Sequence, residues 1–248
     1  LDSRRLATEC PLMITDYLDF ELELGPGEAA GGWPVSVVQS PAGNAREVLH
    51  LPAAWSIALP LLAALAPRLE QAGLREDWLG YLEHGIACCA ISGDRQTAAC
   101  LTLERGVLLE RLGRLSEAQA CLADAAAGFA ALGDLRGEAK ARNRLAYVLR
   151  GRRLSAQSAQ HVDHALQLLD PADPEALYSC MVLGLLAYDR RDWQTAEGHL
   201  RACVDGWRDS DERRLYAMSL INLAAVYMSI ESFAQARECL DGAVGLLA

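Results

Sequence analysis

The sequence predicts an all-α fold, a right-handed α-α superhelix of about five helical hairpins with an N-terminal helical cap. Three observations predict it. Ala, Leu, Glu and Arg dominate a chain with only 6% aromatic residues, and Ala and straight-chain residues lose little freedom in a helix. A set of landmarks recurs about every forty residues, as expected for stacked repeats. Segments rich in Gly, Pro, Asp and Ser separate the helical stretches and supply helix stop and start signals.

The landmarks are clearest in three segments, which begin near residues 104, 182 and 222. Each has a small residue in a first helix, then a turn and a bulky residue, then an alanine, a leucine and a small residue in a second helix. Two helices that cross closely need small side chains where their backbones meet and large ones beside them. In landmark order, the residues are Gly106, Gly184 and Ala224; Leu115, Trp193 and Phe233; Ala118, Ala196 and Ala236; Leu122, Leu200 and Leu240; and Ala125, Cys203 and Ala243.

Two further repeat units match the landmark pattern only in part. One runs through Ala146, Ser158 and Val162 with its turn at Gly151–Leu154, and the other contains Ala66 and Trp78. The small residues of the first helices therefore fall at 66, 106, 146, 184 and 224, spaced by 40, 40, 38 and 40 residues. We expect a repeat array over 56–248, with approximate units 59–92, 99–132, 139–170, 177–210 and 217–248.

Residues 1–55 do not match the unit. They hold an amphipathic stretch, a Gly/Pro-rich loop and a short helix that Asn44 would cap. Because the end of a stacked array needs its apolar face covered, we expect a helical cap or the join to an upstream domain. The chain opens without Met and stops inside an apolar helical pattern, so we also expect it to be a fragment of a longer protein.

Four aspartates stand just before predicted helices. Such residues cap helix N-termini by accepting hydrogen bonds from backbone amides that have no partner within the helix. The predicted caps are Asp94, Asp134, Asp173 and Asp211.

The landmarks resemble the tetratricopeptide (TPR) signature, in which a small residue precedes a turn and alanines follow on the second helix. The unit is longer than the standard one of about 34 residues. Its length and its Leu/Ala/Arg-rich style, over about residues 44–248, resemble the C-terminal sensor arrays of bacterial multidomain (STAND-type) ATPase regulators. That resemblance implies ATPase and DNA-binding modules outside this chain.

In TPR arrays the first helices line a concave surface along which ligands lie. Carried over to this chain, the resemblance implies a binding stripe whose C-terminal half is unusually apolar, with Met and Tyr suited to a partner groove. The alternative is that these residues pack against further repeats. The predicted partner-binding residues are Lys140, Asn143, Tyr147, Arg150, Tyr178, Met181, Leu185, Tyr188, Met218, Ile221 and Met228, and Cys100, Leu103, Val107, Glu110, Arg111, Asp189 and Ala225 lie on the same stripe.

The amino-acid composition and net charge argue against some classes of function. A net charge of −10 argues against direct nucleic-acid binding, which needs a basic surface. Eight cysteines without a C-x-x-C pair predict reduced, apolar thiols and hence the cytoplasm. The uncharged run Leu51–Pro67 is seventeen residues long and carries three prolines, too short for a membrane span of about 20 residues.

No catalytic motif is present in the sequence. A phosphate-binding loop, G-x-S-x-G and H-E-x-x-H are all absent. His161 and His164 share an i, i+3 spacing that could present two imidazoles to a metal, but no third ligand is near, so we interpret them as a polar surface. The prediction is a protein–protein interaction module without enzymatic activity, cofactor or metal, serving as the regulatory or sensor domain of a larger signalling or transcription-regulating ATPase. The alternative is a stand-alone TPR scaffold that binds a peptide or protein segment, and a small-molecule inducer stays open as a further partner.

Overall fold

The computed structural model describes residues 75–210 and 212–247, and every regular element in this part of the chain is an α-helix. The predicted all-α fold of helical hairpins is therefore confirmed. The predicted cap over 1–55 lies outside the described residues, and so does the first helix of the first predicted repeat, 59–92. The helices are α1 (Arg75–Ser92), α2 (Arg95–Arg111), α3 (Leu115–Leu132), α4 (Leu135–Gly151), α5 (Ser155–Leu168), α6 (Pro174–Asp189), α7 (Trp193–Trp207), α8 (Arg213–Ser229) and α9 (Phe233–Leu247).

The chain divides into two compact units, 1–94 and 95–248. In the first unit the description covers α1 and the turn after it. Trp78, Leu82 and Cys89 of α1 are buried, and the ring of Trp78 packs against Tyr81 with 5.7 Å between centroids. The buried Trp78 thus occupies the position where the clear repeats have an alanine.

The second unit contains four helical hairpins, α2/α3, α4/α5, α6/α7 and α8/α9. The two helices of each hairpin pack against each other, and the second helix then packs on the first helix of the next hairpin. Neighbouring first helices also contact one another. Among the described residues, no helix is long and apolar enough to cross a membrane.

The small landmark residues mark the closest approach within a hairpin. A Cβ atom added to Gly106 would lie 2.6 Å from Cγ and Cδ2 of Leu122, and one added to Gly184 would lie 2.8 Å from Cγ of Leu200. The hairpin α4/α5, which matches the repeat pattern only in part, has Ala146 and Val162 at these two positions, and both are fully buried. A larger residue on the first helix is therefore matched by a smaller one on the second, which keeps the packed volume similar.

In the part of the chain that the structure describes, aspartate side chains cap α4, α6 and α7. The side chain of Asp134 accepts a hydrogen bond from the amide of Gly137 at 2.8 Å, and that of Asp173 accepts one from the amide of Glu175 at 2.8 Å. Both caps were predicted. Asp192, which caps α7 through the amide of Thr195, was missed because it follows two arginines and interrupts no apolar pattern. At the start of α8 the N-cap residue is Glu212, without a side-chain cap bond, and Asp211 lies outside the described residues.

The last hairpin departs from the repeat. Its landmark residues Phe233 and Leu240 keep 65% and 39% of their surface exposed, whereas Leu122 and Leu200 are fully buried. Leu115, which corresponds to Phe233, packs beside Gly151 of the following hairpin. Among the described residues, no hairpin packs on the outer face of α9.

We expect Gly106→Ala to destabilise the second unit by about 1–3 kcal/mol, because the new methyl group overlaps Leu122. Adding Leu122→Val should recover part of this loss, since that pair reproduces Ala146 and Val162. Urea unfolding followed by circular dichroism measures both effects.

Gly198→Ala is the matched control, because Gly198 is an exposed residue of α7 with open space around its Cα. It should stabilise the protein by about 0.5–1 kcal/mol through helix propensity alone. Equal changes in the free energy of unfolding for Gly106→Ala and Gly198→Ala would contradict a close approach of the two helices at Gly106.

Candidate binding face

The four first helices of the second unit, α2, α4, α6 and α8, contact one another in order and form the surface that we name the first-helix face. It contains the predicted partner-binding residues, but it does not expose them equally. Asn143, Tyr178, Met181 and Leu185 are buried. Because neighbouring first helices touch, side chains that point between them are covered and cannot present a surface to a partner.

A polar seam joins α4 to α6. Nδ2 of the fully buried Asn143 donates to the backbone oxygen of Glu175 at 3.3 Å and to its Oε1 at 3.0 Å. Oδ1 of Asn143 accepts a hydrogen bond from Oγ of the buried Ser179 at 2.8 Å. Buried polar groups are stable only when they are paired, so Asn143 positions two hairpins relative to each other and is not a free ligand-binding amide.

An arginine–tyrosine stack extends the seam. The guanidinium of Arg144 lies 3.4 Å from the ring centroid of Tyr178 and 3.4 Å from Oε1 of Glu175, while Tyr147 meets Tyr178 edge-on at 6.5 Å. Burial raises the pKa of Tyr178 to about 12, although the positive charge of Arg144 acts in the opposite direction. Cation–π contacts of this kind gain strength when they are desolvated.

The seam is important because the second and third hairpins share less contact than the other neighbouring hairpins of this unit do. Helix α5 has only 14 residues, and it contacts α6 less extensively than α3 contacts α4. The first helices α4 and α6 therefore carry much of this joint. Arg144 and Glu175 were absent from the predicted stripe, because the sequence gives no sign that residues 31 positions apart would form a part-buried pair.

The predicted cations are already paired with acids of neighbouring helices. Arg150 donates two hydrogen bonds to Asp189, at 2.7 and 2.8 Å. Lys140 lies 3.6 Å from Glu104. A carboxylate of a partner would have to compete with these internal acids, so neither cation is an open anion site.

Charges from α2, α4 and α8 lie within electrostatic reach of one another. Burial, together with the positive charge of Arg214, lowers the pKa of Arg111 to about 10. The pKa of Glu110 is raised by burial, against the opposing effect of Arg214 and Arg144. The start of α8 therefore brings its Arg214 toward the charged end of α2.

The first-helix face carries an exposed stripe on α8, which consists of Arg214, Met218, Ile221, Ala225 and Met228 and which we name the α8 stripe. Its four apolar residues follow Arg214 at i+4, i+7, i+11 and i+14, so all five lie along one side of the helix. Ile221 and Met228 expose 44% and 55% of their surface. Arg214 is also exposed, and the structure gives it no ion pair within 75–210 and 212–247.

A small cavity opens on the described part of the first-helix face. It has a volume of about 10 Å³ and lies beside Glu110, Arg144, Tyr147 and Tyr178. Pockets for small ligands typically enclose about 300–1,000 Å³. The pocket thus gives little support for a small-molecule inducer at this place.

The two histidines lie away from the face. Nδ1 of His161 is 3.4 Å from the guanidinium of Arg142, and Nε2 of His164 is 3.8 Å from Glu138. Burial lowers the pKa of His161, with Arg142 and His164 adding to the effect. In the part of the chain that the structure describes, no three His, Cys, Asp or Glu side chains are grouped so that they could hold a metal.

We expect Ser179→Ala to destabilise the protein by about 1–3 kcal/mol, because it leaves the buried Oδ1 of Asn143 without its donor. Ser219→Ala is the control, since Ser219 is equally buried but donates only to Leu215 in its own helix, at 2.9 Å. Its cost should stay within about 0.5 kcal/mol. Chemical denaturation measures the free energy of unfolding of both variants. Similar decreases for the two would show that the seam stabilises the protein no more than an ordinary hydrogen bond within a helix.

Comparison with known proteins supports the fold. No family model and no curated protein matches the chain. Among solved structures, BtubC of P. vanneervenii is 18% identical with a TM-score of 0.59, over 79% of this chain and 82% of that one. A putative kinesin light chain of Podosopora anserina, with nearly identical TPR-like repeats, is 18% identical with a TM-score of 0.54, over 81% of this chain and 98% of that one. PilF of Pseudomonas aeruginosa is 17% identical with a TM-score of 0.55, over 77% and 78% of the two chains. The chain therefore has a TPR-like repeat fold.

Proposed function

We propose that the chain is a protein–protein interaction module and that it binds a protein or peptide segment through the α8 edge of the first-helix face. The observation that carries this proposal is the α8 stripe, whose exposed Ile221 and Met228 have no cover among the described residues. Contiguous apolar residues beside charged ones are typical of interaction surfaces.

The middle of the face is a weaker candidate than its α8 edge. Asn143, Tyr178 and Met181 are buried, and a partner would have to break the seam to reach them. Opening a satisfied polar network exposes several groups that then need new partners. The α8 stripe requires no such opening, because its apolar side chains already face solvent.

The spacing of the stripe suggests what it would bind. The apolar residues Met218, Ile221, Ala225 and Met228 lie at i, i+3, i+7 and i+10. This spacing matches one face of a partner helix laid along α8, the helix-in-groove mode of recognition. Arg214 stands at one end of the stripe, where it would favour an acidic residue at the matching end of the partner. An amphipathic helix with an acidic terminus is therefore the partner that this edge fits best.

The finer proposal is that this module is the regulatory or sensor part of a larger signalling or transcription-regulating ATPase. It rests on the repeat spacing near forty residues and on the resemblance to sensor arrays described above. A stand-alone scaffold is the alternative. A phosphate-binding loop upstream in the parent chain would favour the sensor, and a complete reading frame without one would favour the scaffold.

We also propose that the module has no catalytic role of its own, since Lys140 and Arg150 of the first-helix face are used in internal ion pairs with Glu104 and Asp189. We further propose that it works in the cytoplasm, because no disulfide joins the seven cysteines in the described part of the chain and reduced thiols are typical of reducing compartments.

The proposal predicts that Ile221→Asp combined with Met228→Asp weakens partner binding at least about tenfold, through loss of apolar contact on both turns. A displayed library of random peptides, selected on the wild-type chain, supplies the probe. Fluorescence anisotropy of the selected peptides then measures the affinity of each variant.

Val244→Asp is the matched control, since Val244 is an exposed apolar residue outside the first-helix face. It should leave peptide affinity unchanged. Two outcomes would contradict binding at the α8 edge. The peptides could bind the Ile221/Met228 double variant as tightly as the wild type, or they could lose affinity for the Val244 variant.

A further inference from the structure

The turns inside the hairpins of the second unit all lie on one side of it, because each first helix ends there and each second helix begins there. Hydrogen bonds join neighbouring turns. Nη1 of Arg152, in the α4/α5 turn, donates to Oε1 of Gln119 near the start of α3. Arg150, at the end of α4, donates to Asp189 at the end of α6. The first three turns therefore form one continuous edge.

Arginines dominate the middle of this edge. The α4/α5 turn contains Arg152 and Arg153, and the α6/α7 turn contains Arg190 and Arg191. All four side chains are exposed, and the structure gives none of them an ion pair within 75–210 and 212–247. We name these four residues the arginine edge. Because the chain as a whole has a net charge of −10, the arginine edge is a positive patch on an acidic protein.

The acids beside the arginine edge are engaged elsewhere. Both oxygens of the Asp189 carboxylate accept hydrogen bonds from Arg150, at 2.7 and 2.8 Å. Asp192 caps α7 through the amide of Thr195 at 3.2 Å. Hydrogen bonds from Thr195, with the positive charge of Arg190 adding to their effect, lower the pKa of Asp192. Neither carboxylate forms an ion pair with the arginine edge, so its charge is available to a partner.

The position of the arginine edge keeps it open. It lies in the middle of the row of turns, between the α2/α3 turn and the α8/α9 turn. Hairpins in this unit pack on one another through their helices, which leaves the turns at the side. Repeats added before or after these hairpins would extend the row and would not cover the two middle turns.

The chemistry of the arginine edge indicates what it binds. A guanidinium group is planar and presents paired N–H donors that match the two oxygens of a carboxylate. Four such groups on two adjacent turns fit a segment in which several Asp or Glu side chains follow closely. A nucleic acid fits less well, because a long polyanion would also meet the acidic remainder of the chain.

We propose that the arginine edge is a docking surface for an acidic segment of a partner protein. It lies on the turns, whereas the α8 stripe lies on one side of a helix. This inference therefore does not depend on binding at the α8 edge.

The backbone of the turns allows the charges to be removed without damage to the fold. The middle residue of each hairpin turn has a positive φ, which is 75° at Gly113, 63° at Arg153, 61° at Arg191 and 60° at Glu231. Glycine adopts this conformation without the steric cost that a side chain brings. Glycine at 153 or 191 therefore removes an arginine and relaxes the turn at the same time.

Binding of a fluorescein-labelled oligoglutamate peptide to the 248-residue chain tests the proposal. Fluorescence anisotropy at low ionic strength should show saturable binding that weakens as salt is added, because the contacts join exposed charges. Arg153→Gly combined with Arg191→Gly should weaken binding at least about fivefold. The same double variant should keep or raise its midpoint of urea unfolding, so that a loss of affinity is not a loss of folded protein.

Two control variants complete the design. Glu231→Gly makes the same backbone change in the α8/α9 turn and should not weaken binding. Arg213→Gln removes an exposed arginine at the start of α8, on the opposite side of the unit, and should change the affinity less than about twofold.

Three outcomes would overturn the proposal. The wild-type chain could fail to bind the peptide, or Arg213→Gln could weaken binding as much as the double variant does. The wild-type chain could also bind a labelled single-stranded oligonucleotide or phosphatidylserine vesicles more tightly than the peptide, which would assign the arginine edge to another class of anionic partner.

Discussion

Close approach of two helices at a small residue is the constraint on which the second unit depends. Gly106 and Gly184 leave no room for a Cβ atom because a leucine of the second helix fills that space. The constraint sets the spacing of the two helices in each hairpin, and through it the side that each first helix presents to its neighbours. The first helices then contact one another in order and form the first-helix face.

The first-helix face divides into a closed part and an open part. Between α4 and α6 the polar groups of Asn143, Ser179 and Glu175 satisfy one another, and this seam adds to the contact that the short α5 makes with α6. Along α8 the side chains of Ile221 and Met228 stay in solvent. A joint that holds the array together and an edge that is free to bind thus lie on the same face, one hairpin apart.

The sequence predicted the hairpins well because their cause is local. Small and large residues at fixed spacing, with aspartates before the helices, are visible in one dimension, and Asp134 and Asp173 cap the helices expected of them. Which residues of the first-helix face are exposed was harder to predict. Periodicity placed Met181 and Ile221 on the same face but could not tell that the first is buried and the second exposed, because exposure depends on how closely neighbouring first helices approach. The pairing of Arg144 with Tyr178 and Glu175 is likewise a long-range contact that no local pattern encodes.

We expect partners to meet this protein at the α8 edge. Site-specific photo-crosslinking tests this expectation, with the photoreactive amino acid placed at Ala225 within the α8 stripe or at the exposed Gly198 of α7. A discrete crosslinked partner should form from position 225 in cells, and none should form from position 198. Crosslinks to the same partner from position 198 but not from position 225 would contradict it.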